Sequence, residues 1–282
     1  MIPYSGPPSS QGNAMPDFRH IRFETPAPQI ARIVLNRPER MNAYTNPLCD
    51  EVVAALTNYM RDDEMRCLIL TGAGRGFCAG GDVAGGDPDS PHYRDKQMGH
   101  GQEMREGMHR VIVMLHRMDK PVIAAINGPA VAGGLTLALA CDFRIAADTA
   151  KLGDTSGKFG LLPDEGGAWF FPRAMGLDRA LKMTLLNEIY SADQALKLGL
   201  VTEVVPACEL EARSLDLAKA IAARAPLAVR LAKNMMRKGL DSSLENSLDD
   251  AALSVMIANP SQDVREGVSA FFAKREPQFK GR

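Results

Sequence analysis

An excess of either charge is missing from this sequence. Its 33 basic and 34 acidic residues leave a formal net charge of -1 at pH 7. A protein that grips a nucleic-acid duplex carries a basic excess on one face, so nucleic-acid binding is set aside. Cysteine is sparse too. The five residues Cys49, Cys67, Cys78, Cys141 and Cys208 are scattered, form no C-x-x-C pair and join no His/Cys cluster of zinc spacing. That pattern predicts a reducing compartment and no metal site. No apolar run approaches the roughly 18 residues that a membrane span needs, and the first residues lack the apolar stretch of a secretory signal. The expectation is a cytoplasmic protein with no membrane contact.

What is present describes an α/β protein. Of 282 residues, 45% are hydrophobic, enough to bury a substantial core. The opening residues 1–16, rich in Pro, Ser and Gly, predict a disordered tail. "FRHIRFE" and "IARIVLN" then predict a hairpin. "TNPLCDEVVAALTNYMRDD" predicts a helix, with Thr45 or Asn46 as cap and proline in the first turn. Buried strands are expected at "RCLILTG", "PVIAAINGP" and "CDFRIAA", separated by helices, one of them running through "QEMREGMHRVIVMLHRMDK". This alternation is the βαβ pattern of a parallel sheet. After "SADQALKLGLV", with Ser191 and Gln194 as a capping box and Gly199 as its stop, helices alone remain. The expected division is an α/β core over 17–205 and a helical part over 206–282.

Two glycine-rich stretches stand at the ends of predicted parallel strands. "TGAGRGFCAGGD" (71–82) loosely fits a dinucleotide fingerprint at Gly74, Gly76 and Ala79. The sequence after it, "DVAGGDPDSPHYRDK", is neither the helix nor the second strand that a dinucleotide fold requires. "NGPAVAGGLTLALACD" (127–142) puts Gly133 and Gly134 directly before good helix formers. A helix mouth exposes unpaired N–H groups and favours negative charge. Both stations fall at the carboxyl edge of one sheet. A loop N–H near Gly80 and Gly81 and the helix-mouth N–H of Gly133 would together form an oxyanion hole.

"RGFCAGGD", "KPVIAAINGPAVAGGLTLALACD", "GLLPDEGGAWFFPRAMG", "SADQALKLGLVTEVV" and the tail "EGVSAFFAKREPQF" together resemble the crotonase (enoyl-CoA hydratase/isomerase) superfamily. The resemblance runs from about residue 18 to the end. It implies a ββα-spiral fold, a homotrimer or dimer of trimers with residues 206–282 as the trimerisation part, and an acyl-CoA substrate. CoA enters with that substrate, and no other cofactor is expected. Gly81 and Gly133 match the family's oxyanion donors. Around the CoA moiety the resemblance places Met41, Ala43, Ala79, Asp82 and Val83, with Arg40 and Lys274 as cations for its phosphates.

The family's hydratases use two glutamates to handle water. At those positions this chain has Thr136 and Ser156, whose hydroxyls are unsuited to general-base work near neutrality. "LLPDEGGAWFF" instead puts Asp164 and Glu165 among apolar residues, where burial would raise a carboxylate's pKa. The family's isomerases carry their proton on an acid at the position of Asp164. The resemblance therefore favours Asp164 as proton carrier in a double-bond isomerisation, with Glu165 as its partner or substitute. Hydration, thioester hydrolysis or C–C cleavage on the same hole is the alternative chemistry. A non-catalytic CoA- or RNA-binding scaffold is the alternative of another class. His92, His100, His109 and His116 have no carboxylate at a diagnostic spacing. The methionines at 98, 104, 108, 114 and 118 read as core filler that could also line an acyl pocket.

Overall fold

The structure, a computed structural model, describes residues 17–82 and 99–282. The expected N-terminal tail, Val83, His92, Met98 and the side chain of His100 lie outside the described residues.

The strands, in chain order, are β1 (Ile21–Ala27), β2 (Ile30–Leu35), β3 (Cys67–Gly72), β4 (Val122–Ile126), β5 (Ala130–Val131), β6 (Phe143–Ala147), β7 (Lys151–Gly153), β8 (Ile189–Ser191) and β9 (Glu203–Val205). The described helices are α1 (Asn46–Arg61), α2 (Gly99–Glu106), α3 (Met108–Arg117), α4 (Gly133–Leu139), α5 (Gly167–Met175), α6 (Leu177–Leu186), α7 (Ala192–Lys197), α8 (Leu210–Ala222), α9 (Pro226–Gly239), α10 (Leu244–Ala258) and α11 (Gln262–Ala273). β1 and β2 form the expected antiparallel hairpin, and the larger sheet continues in parallel in the order β1-β2-β3-β4-β6-β9. β5, β7 and β8 make a second, smaller sheet.

Alternation along β3 and β4 dictates layers on both faces. Leu68, Leu70, Val122, Ala124 and Ile126 point into one core, shared with Leu56 of α1 and Leu115 of α3. Cys67, Ile69, Ile123 and Ala125 point the other way, against Leu210, Ala218 and Ala222 of α8. The helical stretch after residue 205 thus begins with an element that covers the sheet. Helix α1 starts where its sequence demands: the Thr45 hydroxyl accepts from the Leu48 N–H, Pro47 occupies the first turn, and Leu48, Val52, Ala55, Leu56 and Tyr59 form its buried stripe. The Ser191/Gln194 capping box likewise forms at the start of α7.

The helix expected through 102–120 is interrupted at Gly107, between α2 and α3. A Cβ on Gly107 would lie 2.3 Å from the Asn46 side-chain oxygen, so the close approach of α1 requires glycine there, and the backbone leaves helical geometry at this residue (φ -100°, ψ -111°). No helix of the described residues is long and apolar enough to cross a membrane.

Candidate active site

Both glycine stations follow parallel strands, β3 and β4, and lie at the same sheet edge. The strap 77–82 is laced to its neighbours on both sides. On one side the Phe77 and Cys78 N–H groups donate to the Pro129 carbonyl at 3.0 and 3.1 Å, and the Val131 N–H donates to the Cys78 carbonyl at 3.1 Å. On the other, Tyr44 donates its N–H to the Gly80 carbonyl at 2.9 Å and accepts from the Asp82 N–H at 3.1 Å. Tyr44 and Gly81 therefore pair as a parallel bridge. With Gly80 and Asp82 bonded to Tyr44, the N–H of Gly81 between them turns to the opposite side.

Gly133 is the first residue of α4, so its N–H has no acceptor within the helix. The strap comes close enough that a Cβ on Gly80 (φ +91°) would stand 3.5 Å from the Gly133 nitrogen. A Cβ on Gly134 would fall 2.0 Å from the Cys78 carbonyl oxygen, so only glycine lets α4 dock on this strap. Ala132, which turns the chain into α4, has φ 49° and ψ -125°, a conformation costly for any residue with a Cβ. Backbone strain thus sits on the residue that aims the Gly133 N–H.

The turn before α5 carries two carboxyls, Asp164 and Glu165. The Glu165 side chain enters the interior at 5% exposure, while its neighbour Asp164 is exposed. The Tyr44 hydroxyl donates to Glu165 Oε1 at 2.6 Å. Oε2 is buried and finds no hydrogen-bond partner among the described residues. Burial pushes the Glu165 acid up, hydrogen bonds from Tyr44 and from its own backbone pull it down, and the charge and side-chain hydrogen bond of Asp164 push it up again, leaving it at about 7. The carboxylate lies against the helix mouth, since a Cβ on Gly133 would be 2.3 Å from Oε1 and 2.8 Å from the Tyr44 ring. The family resemblance ranked Asp164 ahead of Glu165; in the structure Glu165 is the one at the mouth of α4. His109 of α3 donates from Nε2 to the backbone carbonyl of Asp164 at 2.8 Å and so braces the turn.

Thr136 is buried, and its hydroxyl lies 3.5 Å from the Ala132 carbonyl. The Ser156 hydroxyl donates to Asp154 Oδ1 at 2.7 Å. The second Asp154 oxygen is buried without a partner among the described residues. Among the expected CoA contacts, Ala79 donates its N–H to the Met41 carbonyl at 3.1 Å, which brings Met41, Ala79 and Asp82 to one strip with the buried Ala43. Asp82 pairs with Arg37 at 2.8 Å. Arg40 ends an exposed single turn on the same loop. Lys274 caps α11, exposed at the far end of the chain.

Sequence reasoning missed Tyr44, Arg37 and Asn42. Asn42 is fully buried and donates to the carbonyls of Ala73 and Gly76 at 2.9 and 2.7 Å, tying the first glycine loop to the 37–44 segment. The available signal for Tyr44 was a polar-tipped aromatic between the CoA-loop residues and the α1 cap.

A family profile described as "Enoyl-CoA hydratase/isomerase" matches residues 26–282. The chain belongs to this family. It is 38% identical over 255 residues to the 1,2-epoxyphenylacetyl-CoA isomerase of Escherichia coli, covering 90% of this chain and 95% of that one. It is 36% identical to the (E)-benzylidenesuccinyl-CoA hydratase of Thauera aromatica, over 89% of this chain and 96% of that protein. The crystal structure of an enoyl-CoA hydratase from Bacillus anthracis superposes with a TM-score of 0.87 at 34% identity, covering 94% of this chain and all of that one. The architecture is the crotonase fold, and the protein is an enoyl-CoA hydratase/isomerase family enzyme acting on acyl-CoA. Its relatives include both isomerases and hydratases.

Proposed function

We propose that the protein is an enoyl-CoA double-bond isomerase in which Glu165, assisted by Asp164, carries the proton. The observation behind this reading is Glu165 Oε2, a buried, unpartnered carboxylate oxygen beside the mouth of α4. The thioester oxygen of a 3-enoyl-CoA accepts from the N–H groups of Gly81 and Gly133. Ionised Glu165 removes a proton from C2, and the electrons move into a dienolate whose oxygen those two donors stabilise. The same carboxyl then returns the proton at C4, and the double bond ends conjugated to the thioester. An acid near 7 suits both halves of this cycle at neutral pH, because it is neither too weak a base to accept nor too weak an acid to return the proton. One backbone donor of such a hole is worth roughly 3 kcal/mol in the transition state.

CoA enters as part of the substrate, against Met41, Ala43, Ala79, Asp82 and Val83, with Arg40 and Lys274 offered to its phosphates. No other cofactor takes part in these steps. The exposed apolar side chains of α9–α11, among them Met236, Leu253, Phe271 and Phe272, support a homotrimer or dimer of trimers built through residues 206–282.

A hydratase reading draws support from Ser156, at one of the family's glutamate positions, and from the buried Asp154 that accepts its hydroxyl. The two readings differ in product. Wild type, Glu165→Gln, Asp164→Asn and Ser156→Ala are incubated with 3-hexenoyl-CoA and with 2-hexenoyl-CoA, and products are resolved by chromatography and mass. Expected are 2-hexenoyl-CoA from the 3-enoyl ester, a loss of at least about 10²-fold in Glu165→Gln, a smaller loss in Asp164→Asn and a modest one in Ser156→Ala. Water addition by the wild type that Ser156→Ala abolishes and Glu165→Gln leaves intact overturns the isomerase reading.

A further inference from the structure

We propose that the Tyr44 hydroxyl is a positioning group that holds Glu165 Oε1 at the mouth of α4 and leaves Oε2 as the oxygen that takes the substrate proton. The proposal rests on the assignment of Glu165 as the proton carrier and adds to it a residue outside the acid turn and outside the oxyanion donors.

A glutamate side chain has three rotatable bonds, and a catalytic one must be held within a fraction of an ångström of its working position. The acid turn restrains it through the backbone N–H of Glu165 and the Asp164 side chain, and Tyr44 adds a hold from a segment 121 residues away in sequence, through the 2.6 Å bond to Oε1. The tyrosine is itself fixed at both ends. Its backbone is bonded to Gly80 and Asp82. Its ring and hydroxyl fill the space that side chains at the two oxyanion glycines would need: Cε1 lies 2.8 Å from a Cβ position on Gly133, and the hydroxyl oxygen 3.3 Å from one on Gly81. Glycine at both positions thus has a second use, since it makes room for the ring that carries the hydroxyl. Met104 of α2 closes the other side, its sulfur 4.0 Å from the hydroxyl.

Burial and the neighbouring Glu165 charge push the Tyr44 phenol well above its ordinary range, so it remains a donor at every working pH. The direction of donation is therefore fixed, from Tyr44 to Glu165. Around Glu165 the other titratable groups are Asp164 on the same turn and Cys78 on the strap after β3, whose thiol burial pushes up to about 12. From α3, His109 reaches the Asp164 carbonyl. From α4 come only the N–H groups of its first turn, as no acidic or basic residue stands there. Tyr44 is the side chain in this set that donates a hydrogen bond to the Glu165 carboxylate, so its loss should raise the acid and free its rotamer.

Tyr44→Phe keeps the ring and its packing and removes the donor alone. Two titrations follow Glu165 in the full chain. The first is the carboxylic-acid C=O infrared band, isolated as the difference between each protein and the same protein carrying Glu165→Gln, with no substrate present. The second is kcat against pH with 3-hexenoyl-CoA. The expected result is an infrared midpoint about one pH unit higher in Tyr44→Phe. The rising limb of the kcat profile should move by the same interval, so kcat below the limb falls by about tenfold. An unmoved midpoint and unmoved limb in Tyr44→Phe, with Glu165→Gln inactive, overturns the role of Tyr44 and leaves the isomerase reading standing. Full turnover in Glu165→Gln overturns both.

Discussion

Adding one methyl group to each of two adjacent glycines should produce opposite failures. In Gly133→Ala the new Cβ would stand 2.3 Å from Glu165 Oε1, 2.7 Å from Glu165 Cδ and 2.8 Å from Tyr44 Cε1. Ordinary carbon contacts are about 3.5–4.0 Å, so the overlap is roughly 1 Å, and the three nearest atoms in the way all belong to side chains. The Tyr44–Glu165 pair must move as a unit while the strap and α4 stay put. A misplacement of about 1 Å at a reacting group costs on the order of 10²-fold in rate. Gly133→Ala is therefore expected to melt within a few degrees of the wild type and to lose at least about 10²-fold in kcat. In Gly134→Ala the obstacle is the Cys78 carbonyl, 2.0 Å from the new Cβ, and that carbonyl is already bonded to Val131. Backbone cannot swing aside, so the strap and α4 must separate, at a cost of about 1–3 kcal/mol or more. At roughly 2–4 °C per kcal/mol for a chain of this size, the melting temperature should fall by several degrees. Circular dichroism melts paired with turnover of 3-hexenoyl-CoA separate the two. A fully active Gly133→Ala, or a Gly134→Ala with an unchanged melt, refutes the reasoning.

Two further outcomes follow from the same site. Glu165 has its acid raised in the folded protein to about 7 from an ordinary 4.5, so its contribution to stability is fully present below about pH 4.5 and is lost as pH rises towards 7. The loss is on the order of 3 kcal/mol. Urea titrations from pH 5 to 8 should show this decline in the wild type and a flatter curve in Glu165→Gln, and identical curves would count against the buried ionisation. Ala132→Gly, which at an ordinary site loses about 0.5–1 kcal/mol, should here be neutral or gain up to about 1 kcal/mol by releasing the strain at φ 49°. An ordinary loss in the same urea assay would show that the turn is unstrained.

How much of this was legible in the sequence depends on the range of the forces involved. The hairpin, α1 with its Thr45 cap, the capping box of α7 and the helix mouth at Gly133 rest on residues within one turn of each other, and all were readable. The need for glycine at 107 was not, because the group it makes room for, Asn46, stands on another helix. The same limit applies at the acid turn. Asp164 and Glu165 are adjacent and chemically alike, and nothing local distinguishes which faces inward. What distinguishes them is Tyr44, which meets Glu165 only once the chain is folded. Thr136 and Ser156 were readable as departures from a family pattern, and the carboxylate beneath Ser156, Asp154 two residues earlier, is a local contact that the sequence reading passed over.

The 121-residue separation between Tyr44 and Glu165 also bears on how the protein is made. Strands β2, β3 and β4 must be side by side before the straps after them can lace together, and the acid turn closes onto them from further along the chain. Contacts of such long range form late, since the entropy of closing the intervening chain is lost before they return anything. A nascent chain still tethered to the ribosome therefore lacks the Tyr44–Glu165 contact until the acid turn before α5 has emerged and docked. Because Tyr44 and Glu165 meet only in the finished molecule, an acyl-CoA bound between them would stabilise the native state by mass action.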